Sequence, residues 1–428
     1  MIFGDPAMPT LQQMSFVVIA VRICNDMVVK ALLKIYGPNC VAFPSKELCL
    51  FLNKEIPDSS QQMMYRLYIN ETKYIYDGTT LSYWPDCFCF NDRGFTANNL
   101  PSTMWEEMVL KKISCLGLPN ILRTQLMTII RCICLEIQKW QTEHKSKFDF
   151  TDLQRYFCWN AHGKIDRMKT VKSLINNESL PISDCYKLAR LYGFERDFIS
   201  LWGKMSRVEK DNAKHICGYD YESIGFGYGA RRAVRLETIK IHPLNFRAFF
   251  SLLSPTEKVA WYKMYIGLKI MDYDDVRFCL SFLEKNEQEN ILRQYSSKVL
   301  QYYLVWPFQE EFLNVSKNIW PYMSIENYID LLKFIIYKRI MIGWKDFNYV
   351  WLLKEFWRQT PNNFKELAKK DEIYQLMLHV INCELLDRFP NEVILENYKG
   401  NILEFYHVGK NYNLSRKLFL VDAVRCPK

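Results

Sequence analysis

The sequence predicts a mainly α-helical protein, an irregular array of helical hairpins preceded by a small mixed N-terminal region that contains a β-hairpin. Three observations predict it. The 428 residues include 27 Phe, 26 Tyr and 11 Trp but only 16 Gly and 16 Pro, so a large core is available and sites for chain reversal are few, which excludes disorder and disfavours turn-rich all-β folds. Helix-start signals recur after residue 100. One segment before residue 100 instead alternates like a strand.

The stretches 11–36 and 45–54 read as helices. Between them and residue 100, MYRLYINETKYIYDGTTLSYW at 64–84 is rich in Tyr, Thr and Ile and contains Asp77-Gly78, a strong two-residue hairpin signal. From Pro119 to Trp140, Leu122, Leu126, Ile129, Ile133, Ile137 and Trp140 recur at intervals of three and four, leaving Arg123, Gln125, Arg131, Glu136 and Lys139 on the other faces. That predicts an amphipathic helix with a proline at its start. Capping-box pairs stand at Thr103/Glu106, Thr151/Gln154, Ser206/Glu209 and Ser254/Glu257, with Pro255 and Pro361 as candidate first helical residues. A wider pattern, apolar residue, glutamate and apolar residue four apart, recurs as Met205-Glu209-Ala213, Leu253-Glu257-Trp261 and Leu283-Glu287-Ile291. Segments 324–341 and 345–358 form a further pair broken at Gly343.

These pairs cannot bury their apolar faces singly, and stacking them in tandem closes one core. Residues 180–385 thus resemble, in architecture, the helical-hairpin solenoids such as ankyrin, armadillo and tetratricopeptide proteins, without their sequence signatures. The expected organisation is a mixed region at 1–100, a helical block at 101–217, a Gly/Arg-rich linker at 218–240 and a helical-hairpin array at 241–428.

Net charge is +9 and is unevenly placed: 15 Lys and Arg oppose 14 Asp and Glu in residues 1–150, 17 oppose 11 in 151–250, and 24 oppose 22 thereafter. Fourteen cysteines are present, yet the first fifteen residues carry no Lys or Arg and the apolar run Phe16–Val21 is short, so neither a secretion signal nor a membrane span is expected. A cytoplasmic or nuclear protein with reduced thiols follows as the expectation.

No metal or cofactor site is expected. Cys132 and Cys134 sit about 200° apart around a helix and cannot share an ion; Cys87 and Cys89 share a strand face but have no completing ligands. Cys158 and His162, four apart on an expected helix, have only His144 and Cys185 as further candidates. In GYDYESIGFGYGARRAVR, glycines precede Arg231, Arg232 and Arg235, and Tyr228 could stack on a base. Such a stretch suits phosphate contact, although the spacing matches neither phosphate-loop nor dinucleotide motifs.

Residues 102–126, STMWEEMVLKKISCLGLPNILRTQL, resemble a SOCS box: a short apolar helix followed by a leucine-proline segment. The resemblance implies that Met104 and Met108 fill a pocket on elongin C and that Leu116, Leu118, Pro119, Leu122 and Leu126 form the segment that reaches a cullin. The family usually places cysteine near where Met108 stands, and its boxes usually close a chain.

The resulting expectation is a non-enzymatic scaffold or adaptor that binds a protein partner through a helical-repeat surface. A ubiquitin-ligase substrate adaptor using the SOCS-box-like segment is one alternative. Another is a binder of nucleic acid or another anion using the basic stretch 204–247, recognisable by steep salt dependence. The third, an enzyme, would need clustered and perturbed titratable groups.

Overall fold

A computed structural model describes residues 8–52, 66–70, 86–89, 100–144, 153–177, 180–217, 250–251, 253–267, 271–383, 389–400, 402–407 and 410–415. In chain order the described elements are α1 (Leu11–Cys24), α2 (Met27–Tyr36), α3 (Ser45–Leu52), β1 (Arg66–Asn70), β2 (Asp86–Cys89), α4 (Pro101–Ser114) and α5 (Asn120–His144). Then follow α6 (Arg167–Ile175), α7 (Ile182–Leu191), α8 (Glu195–Lys204), α9 (Arg207–Cys217), α10 (Pro255–Gly267), α11 (Tyr273–Ser281), α12 (Lys285–Gln301) and α13 (Phe312–Ile319). The chain continues through α14 (Ile325–Ile335), α15 (Tyr349–Gln359), α16 (Asn362–Ala368), α17 (Ile373–Asn382) and α18 (Asn391–Asn397) to β3 (Ile402–His407) and β4 (Lys410–Ser415). The protein is mainly helical, as its composition predicts.

Two compact units are present. One comprises Met1–Glu71, Trp84–Leu135 and Val259–Lys428, the other Thr72–Tyr83 and Glu136–Lys258.

The recurring glutamate has a specific role. Glu209, Glu257 and Glu287 each stand at the third helical position of α9, α10 and α12 and accept from the backbone N–H of the cap residue: Ser206 at 2.8 Å, Ser254 at 2.9 Å and Glu284 at 2.9 Å. Each cap is preceded by a buried apolar residue, Met205, Leu253 or Leu283, which pins the entry of the helix. Elsewhere the start signals behave differently. Thr103 lies inside α4, which begins at Pro101 after Leu100, and its expected partner Glu106 is engaged by other residues. Thr151 lies outside the described residues, and Leu153–Tyr156 is a single 3₁₀ turn. Pro361 occupies the cap of α16 rather than its first position.

In the first unit the four strands form an antiparallel sheet in the order β2-β1-β4-β3. An antiparallel pair expected within 64–84 is described as β1 paired with β2, whose second strand lies beyond residue 84. The register sets Arg66 opposite Cys89 and Ile69 opposite Asp86; the expected turn at Asp77-Gly78 lies outside the described residues. The C-terminal pair β3/β4 corrects the expectation of helices to residue 428. In ILEFYH exposed Ile402 and Glu404 alternate with buried Leu403, Phe405 and His407, and only buried Tyr406 breaks the alternation, so the strand pattern is present but short.

Beneath β3, Trp344 stacks on Phe405 with centroids 4.2 Å apart, and Arg339 donates to the Tyr406 carbonyl at 2.8 Å. Arg339 belongs to a single π-helical stretch, Ile336–Ile340, that continues α14. The chain then turns at Gly343 with φ 72°, the break expected between two helices. Asn391, fully buried, joins this region to α3 by donating to Glu47 Oε1 at 3.0 Å and to the Met341 carbonyl at 3.1 Å.

In the second unit His144 is fully buried, with Nδ1 2.6 Å from the Trp140 carbonyl and Nε2 3.0 Å from the Tyr192 hydroxyl. The carbonyl can only accept, so Nδ1 carries the proton and Nε2 accepts from tyrosine. Helices α7 and α8 form a hairpin in which Tyr186 packs on Trp202 and Phe198.

Candidate protein-docking site

The helix α4 presents two unlike faces. Trp105, Val109 and Ile113, one turn apart, are buried, whereas Met104, Leu110, Lys111 and Ser114 face outward. Its inner face is fixed by Arg131 on α5, which is only 3 % exposed. The guanidinium lies 4.8 Å over the Trp105 ring, donates to the Val41 carbonyl at 2.9 Å and pairs with Glu106. Glu106 also accepts from the Ser45 backbone N–H at 2.7 Å and from its hydroxyl. The polar residues of α5 are thus not all on a solvent side: Glu136 and Lys139 are buried too, and Glu136 accepts from the Ile165 N–H at 3.3 Å and pairs with Lys164 at 3.8 Å. A helix packed on several sides must bury some of its polar positions, and each then needs a partner.

Residues 115–119 form the corner from α4 to α5. Gly117 adopts φ 64°, with no heavy atom within 4 Å of where a Cβ would stand, so the turn is open to solvent. The corner is held by the Leu116 N–H on the Ile113 carbonyl at 3.0 Å, the Arg123 N–H on Pro119 at 3.0 Å, and Arg123 Nε on the Leu118 carbonyl. Leu116 and Pro119 are exposed, and Met108, Leu118 and Leu122 are half-buried. These residues, together with Met104 at 41 % exposure on the first turn of α4, are the ones singled out by the SOCS-box resemblance. Leu126 is the exception: it is fully buried and takes no part in an outer surface.

Two residue pairs extend the corner to the N-terminal helices. Gln12 bonds Gln125 at 3.3 Å, setting the start of α1 beside the start of α5, where Leu11 and Ile121 are 77 % and 70 % exposed. Lys112 bonds Asp26 at 2.6 Å, setting the start of α2, with Met27 and Val28 exposed, beside the end of α4. That lysine holds the Asp26 carboxyl below the usual carboxylate range. Of the eighteen exposed large hydrophobic residues among those described, ten lie on α1, α2, α4, the corner, the start of α5 or the residues leading into α1. Scattered single residues would need no explanation, whereas a concentration on neighbouring elements makes them a candidate contact surface. Sequence reading missed Leu11, Val18, Met27, Val28 and Ile35. The available signal was that α1, LQQMSFVVIAVRIC, is apolar on more faces than its neighbours can cover.

Other expected sites fare differently. Arg231, Arg232, Arg235 and Tyr228 lie outside the described residues. Cys158 and His162 are not on a helix: Trp159 bridges Ile165, and the intervening turn is closed by Asn160 Oδ1, which accepts from His162 and Lys164 N–H groups at 3.0 and 2.9 Å. His144 has both ring nitrogens engaged. Among the described residues, no group of three or more His, Cys, Asp and Glu is placed to hold a metal ion. Cys24 and Cys134 touch at 3.4 Å in the core as free thiols, with burial driving the Cys134 thiol well upward.

One titratable cluster lies apart from the corner. The Asp346 carboxylate, driven up to about 6 by burial, accepts from Gln309 at 2.6 Å and from the Tyr349 hydroxyl at 3.2 Å. Residue 346 as a whole is half-buried, but Oδ1 is out of solvent and has no hydrogen-bond partner among the described residues. Gln309, Tyr349 and Arg339 around it are all buried.

No protein-family model, curated protein or solved structure matches the chain. Among the described residues, no helix is long and apolar enough to cross a membrane.

Proposed function

We propose that this chain is a non-enzymatic scaffold or adaptor whose α1/α2/α4/α5 corner docks a partner protein. The observation that carries the reading is the concentration of exposed large hydrophobic side chains on a layer whose inner face is fixed by buried anchors. Rigid support matters because a preformed apolar surface loses little conformational freedom on binding. The remaining helical hairpins, with their repeated buried residue and back-bonding glutamate, are read as an irregular solenoid-like array that carries this surface in the cytoplasm or nucleus.

A second reading, a ubiquitin-ligase substrate adaptor, is favoured by the accessibility of Met104, Met108, Leu116, Leu118, Pro119 and Leu122 at the positions the SOCS-box resemblance assigns to docking. It must do without Leu126.

Deleting 102–126 would remove buried Trp105, Val109 and Ile113, so surface substitutions are the proper test. Full-length protein and Met104→Glu/Leu116→Glu are compared in pull-downs from lysate at low and high salt. A protein retained by the first and lost by the second supports docking, and elongin C with a cullin among the retained proteins supports the ligase reading. Equal retention by both removes the corner from consideration, and nucleic acid lost at high salt favours the basic stretch instead.

A further inference from the structure

Charge is not balanced on the docking surface. Arg22 on α1, Lys34 on α2 and Lys111 on α4 are exposed, and no ion pair or hydrogen bond engages their side chains among the described residues. Each adjoins an exposed apolar residue: Arg22 lies one turn beyond Val18, Lys34 beside Ile35, and Lys111 beside Leu110. The acidic side is thinner. Asp26 is neutralised by Lys112, and Glu106 by Arg131, which leaves Glu107 as the exposed carboxylate of α4.

Exposed cations beside exposed apolar residues select a partner by sign. They speed encounter with acidic segments and place like charges against basic ones. An amphipathic helix is the partner element that matches apolar anchors on neighbouring helices, because its own apolar residues repeat at intervals of three and four.

Resting on the docking reading above, we infer that the α1/α2/α4/α5 surface takes an amphipathic helical segment of a partner protein whose flanking residues are acidic.

The test uses full-length protein and two synthetic amphipathic helices with one common leucine stripe, one with glutamate and one with lysine on the polar face. Binding is followed by fluorescence anisotropy. The glutamate peptide is expected to bind about tenfold tighter than the lysine peptide near 50 mM salt, with the advantage shrinking as salt screens the rim. Arg22→Glu/Lys34→Glu/Lys111→Glu should abolish that advantage while the far-ultraviolet circular dichroism stays that of the parent. Equal binding of the two peptides, preference for lysine, or an advantage that survives the triple substitution overturns the inference. So does binding to phosphatidylserine vesicles without discrimination between the peptides. If Met104→Glu/Leu116→Glu still loses a lysate partner while the peptides are not discriminated, docking at the corner stands and the acidic-partner inference alone falls. If neither peptide binds and that variant retains every partner, both fall.

Discussion

The guanidinium of Arg131 lies 4.8 Å over the ring of Trp105, inside the fold. With Glu106 as its ion partner, it fixes the helix whose outer face carries Met104 and Leu110. Removing one member of a buried pair leaves the other uncompensated, which costs more than the pair itself contributes. Arg131→Ala is therefore expected to lower stability by about 3 kcal/mol in denaturant unfolding. Arg131→Met/Glu106→Gln should recover much of that loss, because no charge is then stranded. A double variant no better than Arg131→Ala would show that packing on Trp105, not charge, governs the site.

Asp346 carries a pH dependence of stated sign. Burial raises its carboxyl to about 6 in the folded protein, whereas in the unfolded chain it titrates near the ordinary value of about 3.9. Between those values the folded state holds the extra proton, so this group makes stability fall as pH rises from about 4 to 6 and then level off. The Arg339 attraction is already included in the raised value. Asp346→Asn should stabilise at pH 7 by on the order of 2 kcal/mol, less at pH 4. Unfolding curves at the two pH values check it, and a gain that does not grow with pH would contradict it.

Gly343 is held at φ 72°, and a Cβ there would overlap the Glu47 carboxylate that Asn391 bonds. Gly343→Ala combines a left-handed conformation with a clash against a buried group, so a loss of about 2 kcal/mol or more is expected. Gly117, also left-handed at φ 64° but open, should lose only the conformational part, about 1 kcal/mol. Thermal unfolding of the two variants compares them, and equal losses would mean that the Glu47 contact yields.

Helices were legible where local chemistry fixes them. Ser206, Ser254 and their glutamates announced α9 and α10 because a capping box is complete within four residues. Thr103 misled because Glu106, three positions on, is claimed by Arg131 and Ser45, a contact that no local window contains. The β3/β4 pair was missed because its alternation spans only a few residues, and α1 gave no amphipathic stripe because it is apolar both inside and outside. At the corner, Met104, Met108, Leu118, Pro119 and Leu122 were found through a linear motif. The contribution of Leu11, Met27 and Ile121 depends on the Gln12–Gln125 and Lys112–Asp26 contacts, which join residues 113 and 86 positions apart.

The most direct test of the docking surface is site-specific photo-crosslinking in cells, with benzoylphenylalanine placed at Ile121 on the corner or at Phe282, an exposed apolar residue elsewhere. A discrete crosslinked protein at Ile121 and none at Phe282 is the result predicted. A crosslink at Phe282 alone, or none at either position, would contradict it.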